Sequence, residues 1–175
     1  MNKNIIFLIG LPGAGKSFLC KYYKSHPFID YIIYDDWMRE FKASENVSFK
    51  DDVNYDQLIN NINLKENIII SCIDFCNNDY LLNAENILKT QFPQLKIERI
   101  YFENNIEKCI KNIKQRDKER GGYVKDGVYF GLHIHNEALY KREIRFAEMF
   151  CKDYNIPPNY SAFPIKVSKW NILQH

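Results

Sequence analysis

The chain of 175 residues contains no apolar run approaching the roughly 20 residues that a bilayer-spanning helix needs, so it offers no membrane-spanning segment. Excess charge is also lacking. With 24 Lys and Arg against 22 Asp and Glu, the net charge of +2 gives no global argument for nucleic acid, and any basic groove must be local. Metal-ligand clusters are missing too. The five cysteines, Cys20, Cys72, Cys76, Cys109 and Cys151, are odd in number and fall mostly within apolar periodic segments, which reads as reduced, buried thiols. Cys72 and Cys76 bracket a strand end with no second cysteine or histidine cluster nearby, and the histidines are scattered apart from His133 and His135, so no metal-binding cluster is expected. No internal repeat or low-complexity linker divides the chain, which implies one domain over residues 1–175. The amino-terminal apolar run is too short for a signal peptide and leads straight into a glycine-rich turn, so a cytoplasmic location is expected.

What is present is concentrated in Gly10, Leu11, Pro12, Gly13, Ala14, Gly15, Lys16 and Ser17, which match G-x-x-x-x-G-K-[ST] at every fixed position. An apolar run, residues 4–9, precedes them and a helical pattern follows. Strand, loop, helix is the order this motif needs. The glycines allow backbone conformations closed to residues with a Cβ, so that successive N–H groups can converge on one anion. The helix opening at Ser17 and Phe18 adds its positive dipole end, Lys16 is suited to the β- and γ-phosphates, and the Ser17 hydroxyl to magnesium.

Further along, Phe18, Leu19, Tyr22 and Tyr23 have helical spacing expected to hold the first helix against a sheet, until His26-Pro27 ends it. Residues 30–34 read as a second strand ending at Asp35-Asp36, where an open α/β sheet places its chemistry. One of these aspartates serves as a helix cap. The other is placed to orient and deprotonate an acceptor hydroxyl, with Arg39 three residues beyond Asp36 on the same helical face. Residues 43–54 are polar and read as a loop. Tyr55, Leu58, Ile59 and Ile62 predict an amphipathic helix. Residues 68–73 read as a strand buried on both faces. Asp74 follows, suited to holding magnesium through water, to contacting Ser17, or to capping a turn.

Leu81, Ala84, Leu88 and Phe92 predict a helix stopped by Pro93, and residues 95–102 a fourth strand. Ile106, Cys109, Ile110 and Ile113 form one face of a helix that runs into Arg116 and Arg120, four apart, before Gly121-Gly122. An arginine on such a mobile lid, about residues 115–130, stabilises charge developing on a transferring phosphoryl group, although a solvated charged helix end has the same composition. Leu139, Phe146, Ala147, Phe150 and Cys151 repeat on the stripe of a long helix over residues 135–151. Residues 163–167 read as a last strand, placed at a sheet edge by Pro164.

Together Gly10 to Ser17, Asp36-x-x-Arg39 after the second strand, Asp74 after the third, and Arg116-x-x-x-Arg120-Gly121 resemble the kinase domain of the phage-type polynucleotide 5′-kinase family, among the phosphate-loop kinases. The resemblance covers most of the chain in the right order. It implies that Asp36 is the general base on a 5′-hydroxyl, that Arg39 touches the acceptor phosphate, and that Arg120 contacts the donor phosphates. Phe18 departs from the pattern, replacing the Thr common after the loop Ser.

The expectation is therefore an α/β phosphate-loop NTPase domain of three layers, with a five-stranded, mainly parallel sheet, helices on both faces and a helical lid. Its cofactors are ATP and magnesium, the latter held by Ser17 and Asp74. The reaction is transfer of the γ-phosphoryl to a hydroxyl, first of a polynucleotide end, with a nucleoside, nucleotide or other small molecule as alternatives. Lys111, Lys114, Lys118 and Lys125, with Tyr123 and Tyr129, are suited to line a strand's path or to attract any anionic substrate. In another class, the chain is an ATP-binding switch or inhibitor without kinase activity.

Overall fold

A computed structural model describes residues 4–25, 31–35, 60, 62, 67–120, 123–125, 128–130 and 137–167. In order, the elements are β1 (Asn4–Ile9), α1 (Lys16–Lys24), β2 (Tyr31–Asp35), β3 (Asn67–Ser71), α2 (Asn78–Gln91), β4 (Lys96–Tyr101), α3 (Ile106–Arg120), β5 (Tyr123–Lys125), β6 (Val128–Phe130) and α4 (Glu137–Phe150). A single 3₁₀ turn, Ile73–Cys76, joins β3 to α2.

Unbroken apolar runs rich in isoleucine set the architecture. Ile5 to Ile9 and Ile68 to Ile70 are all buried, and because neighbouring side chains on a strand point to opposite faces, both faces of β1 and β3 are covered. These strands occupy the middle of a four-stranded sheet in the order β2-β3-β1-β4, parallel throughout, with Ile5 paired to Ile68 and to Ile97. β4 alternates instead: Lys96 and Glu98 are exposed while Tyr101 is buried, the signature of a strand near an edge. The chain leaves β1 for β2 on one side and later crosses from β3 to β4 on the other. The carboxyl end of β1 is thus the point where connections diverge, and ligand crevices form there in open parallel sheets.

The fifth strand is reduced to one bridge. Phe163 pairs in parallel with Phe102, its N–H donating to the Tyr101 carbonyl and its carbonyl accepting from the Glu103 N–H. The ladder stops because its partner turns: Asn105 opens the bonding of α3, and the Glu103 carboxylate accepts from the Ile165 N–H in place of a strand carbonyl. The region expected to form a lid carries the carboxyl end of α3 and an antiparallel pair, β5 with β6.

On α1 the expected core face is half wrong. Leu19 and Tyr23 pack against the core with buried Cys20, but Phe18 and Tyr22 are 69% and 63% exposed. The apolar pattern did not distinguish the two faces, because aromatic residues lie on both. The α2 stripe follows expectation, with Leu81, Ala84 and Leu88 buried and Asn77 capping the helix through its side-chain oxygen, which accepts from the Asp79 N–H at 2.9 Å. In α3 and α4, Cys109, Ile113 and Ala147 are fully buried. Of the helix expected around residues 55–62, Ile62 is buried; Tyr55, Leu58 and Ile59 lie outside the described residues.

Glu85, buried on α2, fastens this helix to β4. Its carboxylate accepts from Arg99 Nε at 2.5 Å and from Lys89 Nζ at 3.5 Å. Burial pushes the Glu85 carboxyl up, but Arg99 and Lys89 together outweigh it and hold the group below the ordinary carboxylate range. A depressed folded-state value means that this contribution is full above the unfolded value and is lost as pH falls through the folded one. Arg99→Leu is expected to cost about 3 kcal/mol at neutral pH by leaving a buried carboxylate without its cation. Urea unfolding of both proteins across pH 3–7 checks this: the gap closes at the acid end if Glu85 carries it.

Candidate functional site

The turn from Gly10 to Ser17 leaves β1 at that carboxyl end. Gly13 and Gly15 take φ of 81° and 104°, the left-handed region where a Cβ is strained. Space is as restrictive as conformation. A Cβ on Gly10 would sit 2.8 Å from that of Phe102, and one on Gly13 would run into the Cys109 carbonyl and Ile113. Close backing by β4 and α3 therefore demands glycine.

Four of the loop's carbonyls, those of Gly10, Leu11, Gly13 and Gly15, accept hydrogen bonds from the protein itself. Lys16 Nζ donates to the Gly10 carbonyl at 2.6 Å and the Leu11 carbonyl at 3.0 Å, the latter also accepting from the Ala14 N–H. Asn112 Nδ2, reaching across from α3, donates to the Gly13 carbonyl at 2.9 Å and the Lys166 carbonyl at 3.1 Å. The amides are not matched in the same way. Among the described residues, the N–H groups of Gly13, Gly15, Lys16 and Ser17 have no main-chain acceptor, while those of Phe18 and Leu19 are spent on the Gly15 carbonyl. Four donors thus gather at the amino end of α1, whose dipole adds positive potential. Lys16 is 7% exposed, and one of its three N–H groups is not used on the loop carbonyls. The chemical consequence is a cradle for an anion with several oxygens.

Two side chains absent from the sequence expectations hold this cradle. The Tyr154 hydroxyl is shared between the carbonyls of Ile9, at 3.0 Å, and Phe102, which locks the ends of β1 and β4 immediately before the turn. Burial pushes its phenol well above the ordinary tyrosine value, so it remains a donor. Asn112 is the other, 7% exposed, with an Oδ1 that has no hydrogen-bond partner among the described residues. Nothing local in the sequence singles out either residue, since both act across long stretches of chain. The one signal that could have found Asn112 is its spacing of four residues from Arg116, on the same helical face.

Asp74 lies in the turn after β3 and is buried, with Cys72 Sγ donating to its Oδ2 at 3.5 Å. Phe75 stacks on Phe7 of β1, centroids 4.6 Å apart, which fixes this turn beside the strand that feeds the loop. Ser17 is exposed. Burial pushes the Cys76 and Cys109 thiols up to about 12 despite the Lys16 ammonium, so both stay protonated at neutral pH. Among the described residues no group of three or more His, Cys, Asp or Glu could hold a metal ion.

Arg116 is engaged elsewhere than expected: its Nη2 donates to the Glu143 carboxylate of α4. Asp36, Arg39, Gly121 and Gly122 lie outside the described residues. Asp35 ends β2 and Arg120 ends α3, but the side chains of both lie outside the description, as do those of Lys118, Tyr123, Lys125 and Tyr129. Lys111 and Lys114 are exposed on α3.

No protein-family model matches the chain. It is 29% identical over 154 residues to an uncharacterized protein of Acanthamoeba polyphaga mimivirus, an alignment spanning 83% of this chain and 97% of that protein. No described helix is long and apolar enough to cross a membrane.

Removing the Asn112 amide strips a donor from both the Gly13 and Lys166 carbonyls. Asn112→Ala is expected to lower stability by about 1–3 kcal/mol. The urea midpoint should fall with an unchanged slope, and a midpoint at the wild-type value would contradict a supporting role for this side chain.

Proposed function

We propose that the protein is an ATP- and magnesium-dependent phosphotransferase built on a phosphate-loop NTPase fold, which moves the γ-phosphoryl group to an acceptor hydroxyl, first among candidates a polynucleotide 5′-hydroxyl. The observation that carries this reading is the set of four unspent amides at Gly13, Gly15, Lys16 and Ser17, gathered at a helix start with Lys16 beside them. Surplus donors of this kind fit an anion of several oxygens better than a turn whose role is only to reverse the chain.

In this reading the loop amides and Lys16 bind and orient the phosphates and stabilise the charge that grows during transfer. Ser17, exposed at the helix start, and Asp74, buried in the turn after β3, are the residues that would hold magnesium, which supplies charge neutralisation at the phosphates. Asp36 takes the proton of the acceptor hydroxyl, and Arg39 holds the acceptor. Arg120 reaches the donor phosphates from the carboxyl end of α3. Arg116 would join it only after releasing Glu143, which makes that ion pair a latch on the expected lid. The same latch favours a second reading, an ATP-binding switch, since an arginine spent on a carboxylate is not on a phosphate.

Labelled γ-phosphate ATP offered with 5′-hydroxyl oligonucleotides, nucleosides, nucleotides and other small hydroxyl acceptors tests the proposal. Transfer is expected with wild type and is expected to fall by at least about 10²-fold in Asp36→Asn, with ATP binding retained. Binding without transfer to any acceptor would favour the switch; full activity in Asp36→Asn would overturn the base assignment.

A further inference from the structure

We propose that Ser71 is a positioning residue for magnesium, its hydroxyl accepting a hydrogen bond from a water in the metal's shell, an inference that deepens the phosphate-loop reading above and rests on it. Among the described residues two buried side-chain polar atoms have no hydrogen-bond partner, Ser71 Oγ and Asn112 Oδ1. Both belong to the same end of the molecule, since Asn112 holds the Gly13 carbonyl and Ser71 closes β3. The serine is fully buried after three buried isoleucines. A hydroxyl sealed from water without a partner costs free energy that alanine at this position would not. Lys16, Asp74 and Glu85, buried like it, are all bonded, so the bare hydroxyl points to a partner that arrives with a ligand.

Position and burial select the partner. Tyr23, near the end of α1, meets Tyr31, the first residue of β2, at 5.2 Å, and Tyr31 is in register with Asn67 of β3. Alternation along β3 then puts Asn67, Ile69 and Ser71 on the face that α1 covers, while Ile70 and its register partner Phe7 lie on the other, where Phe7 stacks on Phe75. From Asn67 to Ser71 the strand advances about 13 Å toward the loop, and from Tyr23 back to Ser17 the helix spans about 9 Å in the same direction. Ser71 therefore stands beneath the first turn of α1, which carries Ser17, and three residues before Asp74. Those are the two residues that would hold the metal. Ser71 is level with Leu8, about 7 Å along the strand before Gly10, so its hydroxyl falls short of phosphates held by the amides of Gly13 to Ser17. A water spans that gap, and a fully buried hydroxyl admits nothing larger. Magnesium sheds its waters reluctantly and keeps several beside phosphates, each of them a donor in need of an acceptor.

The experiment measures ATP affinity by calorimetry, with and without magnesium, for wild type, Ser71→Ala and Ser17→Ala, together with the melting temperature of each protein before nucleotide is added. Magnesium is expected to tighten ATP binding by wild type. Ser71→Ala is expected to lose about tenfold of that tightening and to bind ATP without magnesium as wild type does. Relieved of a hydroxyl that has no partner, it is also expected to melt no lower than wild type. A role in packing alone would lower the melting temperature and weaken ATP binding equally under both conditions, and that result would overturn the proposal. So would tightening by magnesium that Ser71→Ala keeps in full. Should Ser17→Ala lose the tightening while Ser71→Ala keeps it, the phosphate-loop reading survives and the role of Ser71 falls. Should wild type bind no ATP, or bind it no tighter with magnesium, the reading and the inference fall together.

Discussion

Everything at the carboxyl end of the sheet depends on one imbalance in the Gly10–Ser17 turn: the carbonyls of Gly10, Leu11, Gly13 and Gly15 accept hydrogen bonds from the protein, whereas among the described residues the amides of Gly13, Gly15, Lys16 and Ser17 have no main-chain acceptor. A chain closes such a turn only if something holds the backbone in a conformation that most residues resist. Here glycine at φ of 81° and 104° supplies the conformation. Lys16 and Asn112 draw the carbonyls inward, and Tyr154 clamps the strand ends that lead into it. Because those groups engage the acceptors, the amide donors at the start of α1 are left over. The surrounding fold can be understood as the support for this arrangement. Doubly covered β1 delivers the loop, α3 lies so close that only glycine fits at position 13, and the turn after β3 places Asp74 at the same end of the sheet.

The same logic links the loop to the helix expected to act as a lid. Asn112 and Arg116 occupy one face of α3, one tied to the loop and the other to Glu143 on α4. A shift of α3 would be felt at the Gly13 carbonyl, and a change in the loop would be felt at the Arg116 pair. The loop and the pairing of α3 with α4 are in this way joined through two polar contacts on adjacent turns of one helix.

Much of this was legible in the residues alone, for reasons of range. The motif, the strands β1 to β4 and the stripes on α2 and α3 are local patterns with the period of the element they form, and the structure places them close to where those patterns end. The misreadings concern contacts that sequence spacing does not encode. Phe18 and Tyr22 have the spacing of core residues, yet the register of α1 turns them outward. Residues 163–167 have a strand's composition but find a straight partner only at Phe102. Tyr154, Asn112 and the Glu143 partner of Arg116 act across 27 to 145 residues of chain, beyond any periodicity. Asp36 and Arg39 follow from the motif's chemistry and from resemblance, and lie outside the described residues.

The most direct test of the central claim is a titration of the isotopically labelled protein with magnesium ATP, followed amide by amide in the nuclear magnetic resonance spectrum. If the loop amides hold the phosphates, the Gly13, Gly15, Lys16 and Ser17 resonances move furthest and saturate together. Amides that stay in place while nucleotide is added, or that move no more than those of the strand cores, would contradict it.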